Sequence, residues 1–286
     1  MKQAWQLGAA LTLSLAMLVG CGSEDGDGDD GGGTVTVSIW GEEYIEDGIP
    51  ADVFEDGWSV KFDQFLVVIS DIHANDSSNE GSRYGFTHLV DLVTPGPYQI
   101  YSFDLAARAW PEFGYTIAPA ATDYVLYETA SDEQLERMLD SGYSVYVSGS
   151  ASRQGVIKTF AWGFTNSTRY DECVSEIDGK ETPGIVVANG ADEIVQVTIH
   201  GDHFFYDDLA SQSAVPRFDA MAAADGDDDG EVTLDELSAV KLVDIPQGTY
   251  GTGSASHVDD LGAFVRALTT TIGHFRGEGH CVTIIL

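Results

Sequence analysis

The chain has 286 residues, of which 47 are acidic and 13 basic, for a formal charge of −34 at neutral pH. Such a surface repels phosphate backbones and anionic headgroups, which excludes nucleic acid and electrostatic attachment to a membrane surface and leaves divalent cations as the natural counter-charge. Hydrophobic residues make up 43% and aromatics 10%, enough for a globular core, so the acidity lies on a folded protein and not on a disordered one.

Met1-Lys2 opens a short polar stretch, and residues 8–20 are apolar and small. This run is too short for a membrane-spanning helix, which needs about 20 apolar residues, so residues 1–20 read as a signal peptide. Leu18-Val19-Gly20-Cys21 resembles the lipobox of bacterial lipoproteins. The resemblance implies that Cys21 becomes a diacylated N-terminal lipid anchor. With Gly22 where an aspartate would favour retention at the inner membrane, it also implies the outer membrane of the cell envelope, on either face. Residues 22–33 hold only Gly, Ser, Asp and Glu. With Cys21 they form a solvated, self-repelling tether that buries nothing.

A β-rich domain is expected over residues 34–286. Alternation and β-branched residues mark strands at 34–40, 58–70, 86–93, 97–103, 124–127, 143–148, 156–164, 185–187 and 193–200, separated by Gly, Pro and Asn turns. The segment Gly149–Gly155 is expected to be the loop of a hairpin. With no regular strand-helix alternation, the fold class is mainly β, an antiparallel sandwich with a few helices. One helix follows the capping box Ser131-Asp132-Glu133-Gln134 and stops at Gly142. A second carries the apolar stripe Leu261, Phe264, Val265, Leu268 and Ile272 up to Gly273. The chain closes on a strand from Cys281.

Residues 225–236, DGDDDGEVTLDE, fit the calcium-loop pattern D-x-D-x-D-G-x5-E at every constrained position. Calcium takes about seven oxygens, so a loop that binds it must curl and present them at alternate positions. The segment 216–243 resembles an EF-hand inserted in the β domain. Carried onto this chain, that implies side-chain oxygens from Asp225, Asp227 and Asp229, the carbonyl of Glu231, Thr233 directly or through water, and two oxygens from Glu236. Gly230 permits the turn, and Val232 ties the loop to the core or to a partner loop. Phe218, Met221 and Ala222 line an entering helix near Pro216; Leu234, Leu237 and Val240 line a leaving one. No second loop is found, so an affinity of about 10⁻⁴ to 10⁻³ M is expected.

Of three cysteines, Cys21 is expected to carry lipid, which leaves Cys173 and Cys281. Outside the cytoplasm they are expected to form a disulfide; a metal-binding or redox pair is the alternative, without C-x-x-C spacing to favour it. Seven histidines are present. His200 and His203, in HxxH spacing at a strand end, could converge with His274 and His280, which flank a glycine-rich segment, to hold copper or zinc. A hydrogen-bonded turn at 200–203, with His274 after a helix C-terminus, is the alternative. His73 and His88 read as packing or surface residues. The runs 58–72 (WSVKFDQFLVVISDI), 87–93 (THLVDLV) and 96–105 (GPYQIYSFDL) resemble β-sandwich proteins of the methanobactin-partner, copper-binding type. That resemblance implies an extracytoplasmic sandwich and assigns no ligand.

No phosphate loop, dinucleotide fingerprint, G-x-S-x-G or HExxH is present, so no enzyme is expected. Acidic pairs such as Asp207-Asp208 and Asp259-Asp260 read as solvated surface. The expectation is a calcium-binding lipoprotein of the cell envelope, its ion stabilising a binding or adhesion module for a protein or glycan. The alternative is a copper- or zinc-binding protein using the histidines.

Overall fold

The computed structural model describes residues 31–120, 125–126, 129–177 and 180–286. The expected signal peptide, Cys21 and residues 22–30 of the tether lie outside the described residues. The chain is mainly β: β1 (Gly32–Trp40), β2 (Ser59–Asn75), β3 (Gly81–Asp91), β4 (Tyr98–Ala106), β5 (Ala109–Trp110), β6 (Glu112–Ile117), β7 (Val125–Leu126), β8 (Val145–Arg153), β9 (Val156–Phe164), β10 (Thr168–Ile177), β11 (Lys180–Pro183), β12 (Ile185–Val186), β13 (Asp192–Ile199), β14 (Glu231–Val232), β15 (Gly273–Phe275) and β16 (His280–Ile285). The α-helices are α1 (Glu42–Glu46), α2 (Asp132–Ser141), α3 (Asp219–Ala222), α4 (Leu234–Ala239) and α5 (Leu261–Leu268). Among the described residues no helix is long and apolar enough to cross a membrane.

Two sheets pack face to face. The smaller runs β15-β13-β1-β4, the larger β11-β10-β6-β2-β8-β9-β14, with β3 and β16 paired to β2 and β10. Val35, Val37 and Ile39 of β1 and Val195, Val197 and Ile199 of β13 share one core with Phe62, Phe65, Val67 and Ile69 of β2. The run Phe65–Ile69 is fully buried on both faces, because α2 covers the outer side of the large sheet and packs Met138 on Leu66, Val68 and Leu89. This is why the sequence there is continuously apolar instead of alternating. The expected capping box of α2 is present, with Ser131 and Gln134 bonding reciprocally and Gly142 closing the helix in the left-handed region.

Several expectations need correction. The sheets are mixed: β1 and β13 are parallel over seven residue pairs, as are the short pairings β14 with β9 and β3 with β7. Gly149–Arg153 continues β8, since Gly149 lies so close to Lys61 O that an added Cβ would sit 2.2 Å from it. The loop is only Gln154-Gly155, both at positive φ (51° and 85°), the two-residue turn that suits strand twist. The C-terminal apolar stripe ends as helix at Leu268, and Gly273 opens β15. Strand β10 was not expected at all. The disulfide is present: Cys173 of β10 bonds Cys281 of β16 across a sequence separation of 108.

Candidate metal centre

The parallel strands β1 and β13 end side by side, and the segments leaving their C-terminal ends bring polar groups together. Immediately after β13, His200 donates its backbone N–H to Ile272 O, 2.9 Å away. A 3₁₀ turn over Asp202–Phe205 then carries His203. Phe204 and Phe205 are fully buried and anchor that turn in the core, with ring centroids 5.7 Å from Phe65 and 5.4 Å from Phe54. Close packing fixes the backbone beside the histidines. A Cβ at Gly201 would stand 2.7 Å from Ile45, and one at Gly273, just before His274, would stand 2.6 Å from Tyr115 Oη. Strand β15 pairs His274 with Thr198, and the Tyr115 hydroxyl donates to His274 O at 3.0 Å.

The result is a trio. One nitrogen each of His200, His203 and His274 lies within 4.8 Å of the others, with the His200 and His274 rings stacked at 4.0 Å and tilted by 20°. His200 Nε2 and His274 Nδ1 are buried and have no hydrogen-bond partner. His203 Nδ1 lies 3.0 Å from Thr271 Oγ1, whose own hydroxyl donates to Leu268 O. The threonine oxygen therefore accepts from Nδ1–H, and His203 Nε2 keeps its lone pair. Glu42, the first residue of α1, places Oε2 3.4 Å from His200 Nε2, and Glu42, His200 and Glu278 also converge within 4.8 Å. Glu42 has φ +56°, a strained conformation that collects at functional positions. His203 and His274 face a cavity of about 540 Å³ bordered by Tyr206, Glu278 and His280.

Burial governs the charges. It pushes His203 down to about 2 and His274 down to about 4, with neighbouring imidazoles adding to the effect, so both rings are neutral at physiological pH. Burial raises Asp202 although Tyr206 Oη donates to it at 2.8 Å, and it raises Glu42 although His200 opposes the shift.

His280 does not join the expected quartet; it is exposed at the head of β16. The reversal at Arg276 and Gly277, both at positive φ, turns the chain between the two histidines. Nor does His274 follow a helix C-terminus, since it lies in β15. Glu42 and Glu278 were missed by sequence reading, and no spacing connects either to the HxxH. His73 Nε2 bonds Asp171 at 2.8 Å, while His88 is buried against Phe86 with centroids 5.0 Å apart. Of the acidic pairs, Asp207 is tied to Arg217 at 2.7 Å.

The second group is Asp225, Asp227 and Asp229, with one oxygen each within 4.8 Å of the others. Asp229 N donates to Asp227 Oδ1, Glu231 N to Asp229 Oδ1 and Gly230 N to Asp225 Oδ2, at 3.3, 2.8 and 3.0 Å. These bonds curl the backbone around the carboxylates. Gly230, at φ +91°, makes the bend. Asp225 is buried; its Oδ2 meets the Lys158 ammonium, and its Oδ1 has no partner. Glu236 lies outside this cluster. It accepts from Gly226 N at 3.0 Å and from Thr233 N and Oγ1 at 2.9 Å, and with Thr233 it caps α4. Val232 is fully buried, and its partner is β9, not a second loop: Glu231 and Val232 pair with Thr159 and Phe160. The flanking helices are shorter than expected. Arg217 N donates to Phe205 O and Pro216 bridges Tyr206, so α3 starts only at Asp219, its first N–H groups capped from afar by Asp56 Oδ2 at 2.7 Å.

Comparison with known proteins adds little. No protein-family model matches the chain, and no curated protein matches it. The structure is weakly similar to that of MbnP from Methylosinus trichosporium, with a TM-score of 0.30 and 10% sequence identity over 61% of this chain and 77% of that one. A likeness of that size bears on neither the fold nor the site.

Proposed function

We propose that the protein binds calcium through residues 225–236, and that the ion stabilises a binding or adhesion module held at the cell envelope by Cys21. The observation that carries the calcium reading is the buried Asp225 Oδ1, which has no hydrogen-bond donor, on a carboxylate that clusters with those of Asp227 and Asp229. A buried carboxylate oxygen left unpaired costs free energy; a hard cation at the centre of three carboxylates removes that cost and offsets their mutual repulsion. Each carboxylate oxygen has two lone pairs, so Glu236 can cap α4 and ligate at the same time. Pairing of Val232 with β9 substitutes for the second loop that EF-hands of the sensor type use.

With a single loop and extracellular-class affinity, the ion acts as a clip that stabilises the fold by about 1 kcal/mol when a few-fold above its Kd. Calcium titration calorimetry with a thermal melt, with and without chelator, tests the reading. One-site binding and a raised Tm are expected, and Glu236→Gln should weaken binding more than tenfold. Absence of both heat and shift would show the loop to be an acidic turn.

A further inference from the structure

Independently of the calcium loop, we propose that His200, His203 and His274 form a second metal site, which takes a divalent transition metal of the zinc class. Glu42 closes its coordination, and one side is open to the cavity. Three features carry it. The donor nitrogens come from two segments, the 200–203 turn and β15, and all lie within 4.8 Å of one another; nitrogens at about 2.0–2.1 Å from a tetrahedral zinc are roughly 3.4 Å apart, so small side-chain adjustments close the cage. His200 is 6% exposed and His203 9%, and His200 Nε2 and His274 Nδ1 are buried without a hydrogen-bond partner. Buried polar atoms are ordinarily satisfied, and two orphans on rings of one cluster mark a missing electrophile. Thr271, finally, holds His203 Nδ1–H, the arrangement by which an outer partner fixes a ligating imidazole with its other nitrogen free.

The donor set selects the metal. Imidazoles with one carboxylate suit zinc and its neighbours and not calcium or magnesium, which want oxygen. The two cysteines among the described residues are joined in a disulfide, so no thiolate is on hand to favour a soft ion. Glu42 and Glu278 beside His200 supply the negative charge that a dication needs in a buried site. The cavity of about 540 Å³ reaches His203 and His274, so a water or a small anionic ligand can meet the ion from that side.

The test is zinc chloride titrated calorimetrically into the chelator-stripped full chain, with millimolar calcium present to occupy the acidic loop. One equivalent of sub-micromolar zinc is expected. His203→Gln and His274→Gln should each weaken it by at least about 100-fold, whereas His257→Gln, an exposed imidazole, should leave it unchanged. Cobalt(II) in place of zinc should give the intense visible bands of a four-coordinate nitrogen site. No saturable zinc binding, or an affinity unaltered in a folded His203→Gln protein, overturns the proposal. Should the histidine variants lose their circular dichroism, the wild-type cobalt spectrum decides: intense bands support the site, and the weak spectrum of a six-coordinate oxygen site sinks it.

Discussion

Trp162 donates its indole N–H to the carbonyl oxygen of Val232 at 2.8 Å, joining the large sheet to the middle of the acidic loop. Both residues are fully buried, so the bond has no water to replace it. Trp162→Phe keeps most of the apolar volume and removes this buried donor to the carbonyl, which should lower the unfolding free energy by about 0.5–1.5 kcal/mol, read as a shift of the urea midpoint. Calcium affinity should fall with it, because the loop loses its anchor.

Lys158 stands against Asp225 Oδ2 with 17% of its side chain exposed, and its ammonium is a resident cation that a dication must tolerate. Lys158→Gln should lower the Tm of the calcium-free protein, since a buried carboxylate loses its partner. The same change should tighten calcium binding several-fold, since the repulsion goes. Melts in chelator and a calcium titration of the variant check the two halves.

In metal-free protein, stability should fall on acidification earlier than carboxylate titration alone would cause. His203 and His274 are held down to about 2 and about 4 in the folded state, whereas in the unfolded chain they take protons near 6.5. The unfolded state therefore binds more protons below that pH. The stability these neutral rings contribute is complete above pH 6.5 and is lost as pH falls toward 4 and beyond, on the order of 3 kcal/mol from His274 alone. Urea midpoints at pH 7.5, 6 and 5 should decline in wild type and decline less in His274→Gln.

Reducing the Cys173–Cys281 bond opens a loop of 108 residues. On the chain-entropy model this should cost about 4–5 kcal/mol. The paired change of Cys173 and Cys281 to serine should show it as a lower Tm that added reductant does not move further, whereas reductant should bring wild type down to the same value.

What could be read from residue order was local. The apolar run Phe65–Ile69, the capping box at Ser131 and the spacing of Asp225, Asp227 and Asp229 each declare themselves within a dozen positions, because one turn or one strand generates them. Strand β10 hid because Thr168–Ile177 mixes Arg169, Asp171 and Glu172 with Tyr170 and Cys173, and Asp171 is matched by His73 of β2, two strands away. Parallel pairing of β1 with β13 was illegible, since a strand buried on one face alternates in the same way whatever the direction of its neighbour. The histidine site was half legible. His200 and His203 are joined by one short turn, but Glu42 arrives from the other end of the chain through contacts that spacing does not encode.

Ser38 in β1 donates its hydroxyl to Val195 O in β13, 157 residues away, and that pairing has a consequence for biosynthesis. The first strand of the smaller sheet lies between β13 and β4; β4 follows it soon, but β13 is made much later, so during synthesis that edge of β1 must wait unpaired. Long-range pairing of this kind delays the productive collision and slows folding. A chain stopped anywhere before β15 lacks His274, so the histidine cluster can assemble only in a chain whose C-terminal strands have been made.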